Sequence, residues 1–279
     1  MKIVRIYFVV LKIKSTLNFE LQYLNSLKTE DRFTNYCRLF AIFALIFRIV
    51  YKQTQPKNDN CSKIMSLQDQ NLMKVIILNG SPKANGNTAT ALHEVERTLQ
   101  QQGIETEWIH VGHLQIHGCI ACNKCWTTGI CTFGDIVNEI SEKMREADGL
   151  LIGSPVYFAS PNGTLLSLLD RLFYSNLHTD WTMKVGASVS IARRGGATTT
   201  MDVLNKYFLK TNMPVVPSQY WSIAHGTDSG EVVRDEEGMQ TMRQLGLNMA
   251  FMIKSIRLGV QQFGSPKIQE ELTETHYIR

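Results

Sequence analysis

Four cysteines lie close together in the segment GCIACNKCWTTGIC, residues 118–131, which we call the cysteine loop. They are Cys119, Cys122, Cys125 and Cys131, and their spacing is C-x2-C-x2-C-x5-C. The rest of the 279-residue chain contains only two more cysteines. Thiolates at such short spacing bind iron-sulfur clusters or zinc, and a pair of them can form a redox-active disulfide. The loop therefore predicts metal or redox chemistry.

These three chemistries differ in the cysteine pattern that each requires. A compact C-x2-C-x2-C run can hold three corners of a 4Fe-4S cluster, and a fourth thiolate farther along the chain can close the site. Structural zinc sites usually join two C-x2-C pairs across a longer segment. The five-residue gap and the absence of Pro after Cys131 depart from the bacterial ferredoxin pattern. The residues favour a 4Fe-4S cluster, with zinc or a thiol-disulfide pair as alternatives.

The distribution of the cysteines also bears on the cellular compartment. A small secreted domain spreads its disulfide-bonded cysteines over a short chain, whereas these crowd together in a long one. We therefore expect a reducing, cytoplasmic environment. His110, His113 and His117 precede the cysteines, but they fall in a predicted strand and loop without evident further ligands. We interpret them as solvent-facing or packing residues.

Charge separates the first quarter of the chain from the remainder. Residues 1–72 contain 11 Lys and Arg against 5 Asp and Glu, whereas residues 73–279 contain 18 against 20. A general affinity for nucleic acid is therefore not expected of the larger part. The apolar run LFAIFALIF, residues 39–47, is too short for a membrane span, which needs about 20 residues. We expect residues 1–72 to be a basic extension and linker outside the native protein, with a membrane-surface helix as the alternative.

The elements that must position the cysteines begin at Met73. Strand patterns occupy residues 74–80, 106–111 and 149–158. Residues 184–196 supply a strand and the loop after it, and an extended stretch occupies 214–226. Helical patterns occupy residues 89–103, 136–147, 162–176, 198–212 and 235–259. The Met and aromatic residues of the last helix have the spacing of core packing. Five βα units predict one doubly wound α/β domain, residues 73–279, with a five-stranded parallel sheet and helices on both faces.

Loop 1, NGSPKANGNTAT (residues 79–90), should leave the carboxyl end of the first strand, where such sheets bind ligands. Backbone N–H groups at the start of the following helix can bind an anion, with help from Ser81, Asn87, Thr88 and Thr90. The loop matches neither the dinucleotide fingerprint nor the P-loop. It therefore predicts a phosphomonoester site, and a simple capped turn is the alternative.

Loop 2, GSPVYFASPNG (residues 153–163), follows the third strand and contains groups suited to a flat ligand. Two prolines, Pro155 and Pro161, stiffen its backbone. Tyr157 and Phe158 can then present backbone amides and ring faces to the ligand. A second interpretation places Phe158 in the core, and the two interpretations are compatible.

Loop 3, ARRGGAT (residues 192–198), follows the fourth strand. Gly195 and Gly196 allow the backbone to approach a planar ring closely. Arg193 or Arg194 can stack on that ring or stabilise negative charge on its reduced form. The alternative is a solvated charge pair.

Together, the cysteine loop, the three loops and the helix TLLSLLDR resemble the NADPH-dependent FMN reductase family of flavodoxin-like proteins, specifically its iron-sulfur flavoprotein branch. The resemblance covers residues 73 to about 259. It implies a flavodoxin-type strand order and a homodimer or homotetramer, and the gap before Cys131 suits this branch. By position, the FMN phosphate would rest on Ser81, Lys83, Asn87 and Thr88. The isoalloxazine ring would lie against Pro155, Val156, Tyr157, Phe158, Arg193, Arg194 and Gly195.

The expected function is an FMN-dependent oxidoreductase with a 4Fe-4S relay. It would transfer electrons between a reduced carrier protein or NAD(P)H, with NADPH as a candidate donor, and a small-molecule acceptor. The sequence shows no separate general acid, nucleophile triad or paired carboxylate, so the cofactors are expected to carry the chemistry. One alternative is an NAD(P)H-dependent flavin or quinone reductase without a cluster. Another is a non-enzymatic electron carrier or binding module with a zinc-stabilised loop.

Overall fold

The computed structural model describes residues 72–266, 270, 273, 275 and 276. They belong to the second of two units of the chain, residues 71–279. The predictions made for residues 1–71 lie outside the described residues. Among the residues described, no helix combines the length and the apolar character needed to cross a bilayer.

A single parallel sheet forms the centre of this unit. Its strands are β1 (Lys74–Asn79), β2 (Glu105–His110), β3 (Gly149–Pro155), β4 (Val185–Ala192) and β5 (Ile223–His225). The strands lie in the order β2-β1-β3-β4-β5, and every neighbouring pair is parallel. The order reverses between β1 and β3, as in flavodoxin-type sheets. The predicted flavodoxin-like α/β fold is confirmed.

Helices connect the strands and cover both faces of the sheet. They are α1 (Asn87–Gln101), α2 (Lys124–Thr128), α3 (Ile136–Glu146), α4 (Gly163–Ser175), α5 (Ala197–Lys210) and α6 (Glu236–Phe263), with a 3-10 helix at Glu231–Arg234. Five of the α-helices lie where the sequence pattern predicted them. The short helix α2, inside the cysteine loop, was not predicted, because five residues are too few to show a helical period.

The third strand is shorter than its sequence pattern predicted. It ends at Pro155 rather than at Phe158. Beyond Pro155 the chain reverses, since Tyr157 and Ser160 form an isolated antiparallel bridge. Phe158 and Ala159, between them, have positive φ angles of 49° and 58°. These left-handed conformations cannot continue a strand.

The core consists of two apolar layers, one on each face of the sheet. Alternate residues of β1 enter different layers, because successive side chains of a strand point to opposite faces. Ile77 packs in the layer that α1 and α6 cover, and Ile76 in the layer that α3, α4 and α5 cover. Met242 and Met249 of α6 are fully buried. These methionines pack in the core as the pattern predicted, but Phe251, the aromatic residue of the pattern, is 72% exposed and does not.

The parallel sheet brings four candidate segments to one edge. Loop 1 follows β1, the cysteine loop follows β2, loop 2 follows β3 and loop 3 follows β4. Because all strands point the same way, these segments leave the same carboxyl edge of the sheet.

Candidate functional site

Loop 1 ends in a helix terminus with unused hydrogen-bond donors. The N-cap of α1 is Gly86, and no side chain caps this end of the helix. Among the described residues, the N–H groups of Asn87, Thr88 and Ala89 have no hydrogen-bond partner. Residues 79–93 contain no Asp or Glu. Free amides at the positive end of a helix favour an anionic ligand.

The base of loop 1 contains a further unused donor. The Asn79 side chain is fully buried, and its Oδ1 accepts a hydrogen bond of 3.0 Å from the Ser81 N–H. Its Nδ2 has no partner within the described part of the chain. Ser81 is also buried, and its Oγ accepts from the Lys83 N–H at 3.2 Å. Buried donors of this kind normally have partners, so loop 1 suits a bound polar group.

The other residues predicted for the phosphate occupy different environments. Lys83 is exposed and Thr88 is buried. The Oδ1 of Asn87 accepts a 3.2 Å hydrogen bond from the Val232 N–H, in the 3-10 helix after β5. The Ser229 hydroxyl similarly donates to the Asn85 carbonyl at 2.8 Å. The segment after β5 thus packs against loop 1, a contact that the sequence did not indicate.

Loop 2 presents its aromatic residues outward. The backbones of Tyr157 and Ser160 exchange hydrogen bonds of 2.8 and 3.0 Å. The tight turn between them leaves Phe158 completely exposed and Tyr157 about half exposed. The interpretation that placed Phe158 in the core is therefore wrong. Both rings are accessible to a ligand at the carboxyl edge.

Loop 3 lies close to loop 2 at Gly196. Gly196 has a φ of 87°, and a Cβ atom there would lie 2.8 Å from the Ala159 Cα. Gly195, by contrast, has no neighbouring atom within 4 Å of such a Cβ. Gly196 is therefore the member of this pair that lies close to loop 2. The approach of the two glycines to a planar ring stays a prediction. Arg193 and Arg194 are exposed, and neither forms an ion pair with a described residue.

The four predicted metal ligands lie together. Cys119, Cys122, Cys125 and Cys131 are free thiols that line one pocket, which Phe133, Arg171 and Tyr174 also line. Burial raises the pKa of Cys125, and the three neighbouring thiols raise it further. Among the described residues, no three His, Cys, Asp or Glu side chains are close enough to hold a single metal ion. The thiols thus share a pocket but are not gathered around one point.

The backbone of the cysteine loop is fixed to the two helices that follow it. Asn138 of α3 accepts a hydrogen bond from the Cys131 N–H and donates one to its carbonyl, both at 2.9 Å. The Tyr174 hydroxyl of α4 donates to Asn123 Oδ1 at 2.9 Å. Asn123 itself has a positive φ of 56°. The loop therefore has a defined shape rather than that of a flexible turn.

Sequence reasoning missed a buried arginine beside Cys131. Arg171 of α4 is 1% exposed, and its Nε donates to the Cys131 Sγ at 3.3 Å. Its Nη atoms donate to the two Asp135 carboxylate oxygens at 2.8 and 2.7 Å. Burial alone would lower the pKa of Arg171, but Asp135 and Cys131 leave it raised. The sequence did contain a signal, because Arg171 stands among the apolar positions of a predicted helix. A charge buried at such a position requires a partner.

The three histidines make packing contacts. His110 Nε2 is 2.7 Å from the Ser81 carbonyl oxygen, and its ring centroid is 4.2 Å from that of His113. The His117 ring stacks on Phe133 at 5.2 Å. These contacts agree with the interpretation of the histidines as packing or solvent-facing residues.

Comparison of the sequence with known proteins identifies the family of this chain. The family model described as NADPH-dependent FMN reductase matches residues 73–228. An iron-sulfur flavoprotein of Methanocaldococcus jannaschii is 36% identical over 192 residues, covering 66% of this chain and all of the relative. The chain belongs to the NADPH-dependent FMN reductase family, in its iron-sulfur flavoprotein branch. It is therefore an FMN-dependent oxidoreductase with a flavodoxin-like fold.

Two further matches are a second iron-sulfur flavoprotein and a solved structure with a similar fold. An iron-sulfur flavoprotein of Methanosarcina thermophila is 27% identical over 188 residues, which cover 66% of this chain and 97% of the relative. The crystal structure of RosB, with the bound intermediate 8-demethyl-8-formylriboflavin-5'-phosphate, aligns with a TM-score of 0.53 and 17% identity. That alignment covers 74% of this chain and 94% of RosB. At this identity, the RosB structure supports the fold alone.

Proposed function

We propose that this flavoprotein of the FMN reductase family uses a 4Fe-4S cluster, held by Cys119, Cys122, Cys125 and Cys131, as a one-electron relay. The observation that carries the proposal is that all four thiols are free and line one pocket. The names of the two relatives, both iron-sulfur flavoproteins, support it. Electrons would pass between NAD(P)H or a reduced carrier protein and a small-molecule acceptor.

The FMN phosphate would bind at the start of α1. The unused N–H groups of Asn87 and Thr88 and the buried Ser81 supply donors there. Lys83 is exposed in the same loop and adds a positive charge that can move onto the phosphate. Because this end of α1 has no side-chain cap, a phosphate would satisfy donors that the fold leaves open.

The isoalloxazine ring would lie between loop 2 and loop 3. Pro155, Val156, Tyr157 and Phe158 would form one side of this site, and Arg193, Arg194 and Gly195 the other. The open space at Gly195 and the exposed rings of loop 2 support this placement. FMN bound here would supply hydride and single-electron exchange, while the chain binds and orients it.

The cysteine pattern favours a cluster over zinc. Structural zinc sites usually join two C-x2-C pairs across a longer segment, whereas C-x2-C-x2-C suits three corners of a cubane and Cys131 can supply the fourth ligand. A cluster held there would supply single-electron exchange. We further propose that the protein is a cytoplasmic homodimer or homotetramer.

Cofactor content tests this proposal. The full chain would be purified without oxygen and analysed for iron, acid-labile sulfide, zinc and FMN. We expect about four iron and four sulfide per chain, as a 4Fe-4S cluster requires, together with one FMN. FMN without iron would indicate a flavin or quinone reductase that has no cluster. Zinc in place of iron would indicate that the cysteine loop holds a structural zinc site. Either of these results contradicts the proposal.

Two cysteine variants test the ligand assignment. Cys119→Ser should lose most of the iron and, with it, electron transfer from a reduced one-electron carrier. Cys61→Ser, which changes a cysteine outside the motif, should retain both. Full electron transfer in a Cys119→Ser protein would show that the pocket is not a relay.

A further inference from the structure

We propose that Arg171 is a positioning residue that fixes Cys131 and raises the reduction potential of the cluster held there. The inference rests on the proposed function, because it requires a cluster on the four cysteines. It concerns a residue that lies 40 positions from Cys131 in the chain and outside the cysteine motif.

The contact with Cys131 is direct. The Nε of Arg171 donates a 3.3 Å hydrogen bond to the Cys131 Sγ. Hydrogen bonds to the ligating sulfur and nearby charge are among the factors that set cluster potentials. A cation beside the sulfur stabilises the state that carries one more electron, and Arg171 is only 1% exposed, so water screens it weakly. Both effects of Arg171 therefore raise the potential.

The guanidinium is held in place from three sides. Asp135 accepts two hydrogen bonds from its Nη atoms, and the Phe133 ring centroid lies 4.5 Å from its Cζ. Its Nη1 also donates to the His117 carbonyl at 3.3 Å. Arg171 thereby joins the segment before Cys119 to the segment after Cys131. Its charge is directed to a fixed position rather than distributed over several rotamers.

The Asp135 carboxylate does not cancel the effect of this charge. Its side chain is 32% exposed, whereas that of Arg171 is 1% exposed. Solvent therefore screens the negative partner more than the positive one. Arg171, but not Asp135, also hydrogen-bonds to the sulfur. The electrostatic potential at Cys131 is consequently positive. Removal of the Arg171 charge should lower the reduction potential of the cluster, and removal of the Asp135 charge should raise it.

Helix α4 also links this arginine to the proposed flavin site. The helix begins at Gly163, where loop 2 ends, and Arg171 lies two turns farther along. Its N-cap, Asn162, accepts a hydrogen bond from the Thr164 N–H at 2.7 Å. A single rigid element thus connects the backbone of loop 2 with the sulfur of Cys131.

The test is the reduction potential of the cluster, measured by spectroelectrochemistry on the full holoprotein. At the wild-type midpoint, Arg171→Gln should shift the ratio of oxidised to reduced cluster at least about tenfold toward oxidised, about 59 mV for a one-electron couple. Arg171→Lys should keep most of the wild-type value because it retains the charge. Asp135→Asn should shift the ratio toward reduced. Arg243→Gln, which removes a positive charge on α6 at the opposite face of the sheet, should cause no shift.

Iron content separates the possible failures. An iron-free wild type would overturn the proposed function and this inference with it. Wild-type and Arg171→Gln proteins with full iron and equal potentials would overturn the inference alone. Shifts of the same sign in Arg171→Gln and Asp135→Asn would indicate a merely loosened loop and would also overturn it. If Arg171→Gln does not retain iron, Asp135→Asn decides the outcome. A shift toward reduced cluster supports the inference, and a shift toward oxidised cluster overturns it.

Discussion

Gly196 lies at a close contact between loops 2 and 3. Its φ of 87° is unfavourable for any residue with a Cβ atom, and that atom would lie 2.8 Å from the Ala159 backbone. We expect Gly196→Ala to lower the free energy of unfolding by about 1–3 kcal/mol, the range for strained backbone positions. It should also weaken FMN binding, because both proposed ring-binding loops must shift. Chemical denaturation and FMN titration of flavin-free protein would measure the two effects.

The neighbouring glycine provides the control. Gly195 has an open environment and no positive φ. Gly195→Ala should therefore change the free energy of unfolding by less than about 0.5 kcal/mol, as usual for surface substitutions. Equal destabilisation by the two substitutions would contradict the assignment of the close contact to Gly196.

Glu107 makes a pH-dependent contribution to stability. Hydrogen bonds from Lys143 and Lys74 lower its pKa, against the smaller opposing effect of burial. A carboxylate whose folded-state pKa is lowered stabilises the protein above its unfolded-state pKa, and this stabilisation is lost as the pH falls through the folded-state pKa. We expect Glu107→Gln to lower the free energy of unfolding by about 0.5–1 kcal/mol at pH 7. The difference from wild type should disappear in strong acid.

A second glutamate on the same lysine serves as the comparison. Glu139 lies 3.4 Å from Lys143, and its side chain is 60% exposed. Glu139→Gln should change stability by no more than a few tenths of a kcal/mol at either pH, as exposed helix pairs do. Urea denaturation of both variants at pH 7 and in strong acid would measure these effects. A Glu107→Gln difference that persisted unchanged in acid would show that charge is not its origin.

At the scale of elements, the packing of α1 against α6 depends on a small residue. Gly246 of α6 is buried, and a Cβ there would lie 2.7 Å from the Thr98 Cβ and 3.0 Å from the Val95 carbonyl oxygen. Gly246→Ala should therefore push the helices apart and lower the free energy of unfolding by about 1–3 kcal/mol. The midpoint of thermal or urea denaturation would report the change.

Gly259, in the same helix, should behave in the opposite way. A Cβ at this position meets no atom within 4 Å. Gly259→Ala should raise the free energy of unfolding by about 0.5–1 kcal/mol, because alanine favours the helix more than glycine does. Stabilisation by both substitutions would show that α1 and α6 are not in close contact at Gly246.

At the scale of the whole molecule, FMN should stabilise the fold through its phosphate. A ligand that binds only the folded state adds about 2.7 kcal/mol of stability at one hundred times its dissociation constant. We expect FMN to raise the Tm of flavin-free protein by several degrees. Riboflavin, which lacks the phosphate, should raise it much less at the same concentration, since it leaves the amides of α1 unsatisfied. Equal shifts in Tm would contradict a phosphate site in loop 1.

Local sequence patterns predicted the elements because burial repeats with the period of each element. The apolar run before Gly80 is the two-sided pattern of a central strand, and the helical positions of five segments agree with the structure. The predictions failed where backbone conformation departs from these periods. Left-handed residues after Pro155 end β3 early, and α2 is too short to show a period.

The spacing of Cys119, Cys122 and Cys125 also determined, without any tertiary information, that their thiols lie near one another. Residues three apart cannot separate widely, so C-x2-C-x2-C already implies a shared site. The glycine and hydroxyl content of loop 1 likewise indicated an anion site at a helix start, because amides at a helix N-terminus always lack intrahelical partners.

Only the tertiary structure decided which distant residues support these sites. Arg171 reaches Cys131 across 40 residues, and Val232 meets Asn87 across 145. The periodicity of the sequence does not indicate such pairs, because the contacts form only when the sheet has fixed the relative positions of its helices. The physical reason is that burial follows from each residue's place within one element, whereas a hydrogen bond depends on the packing of two elements.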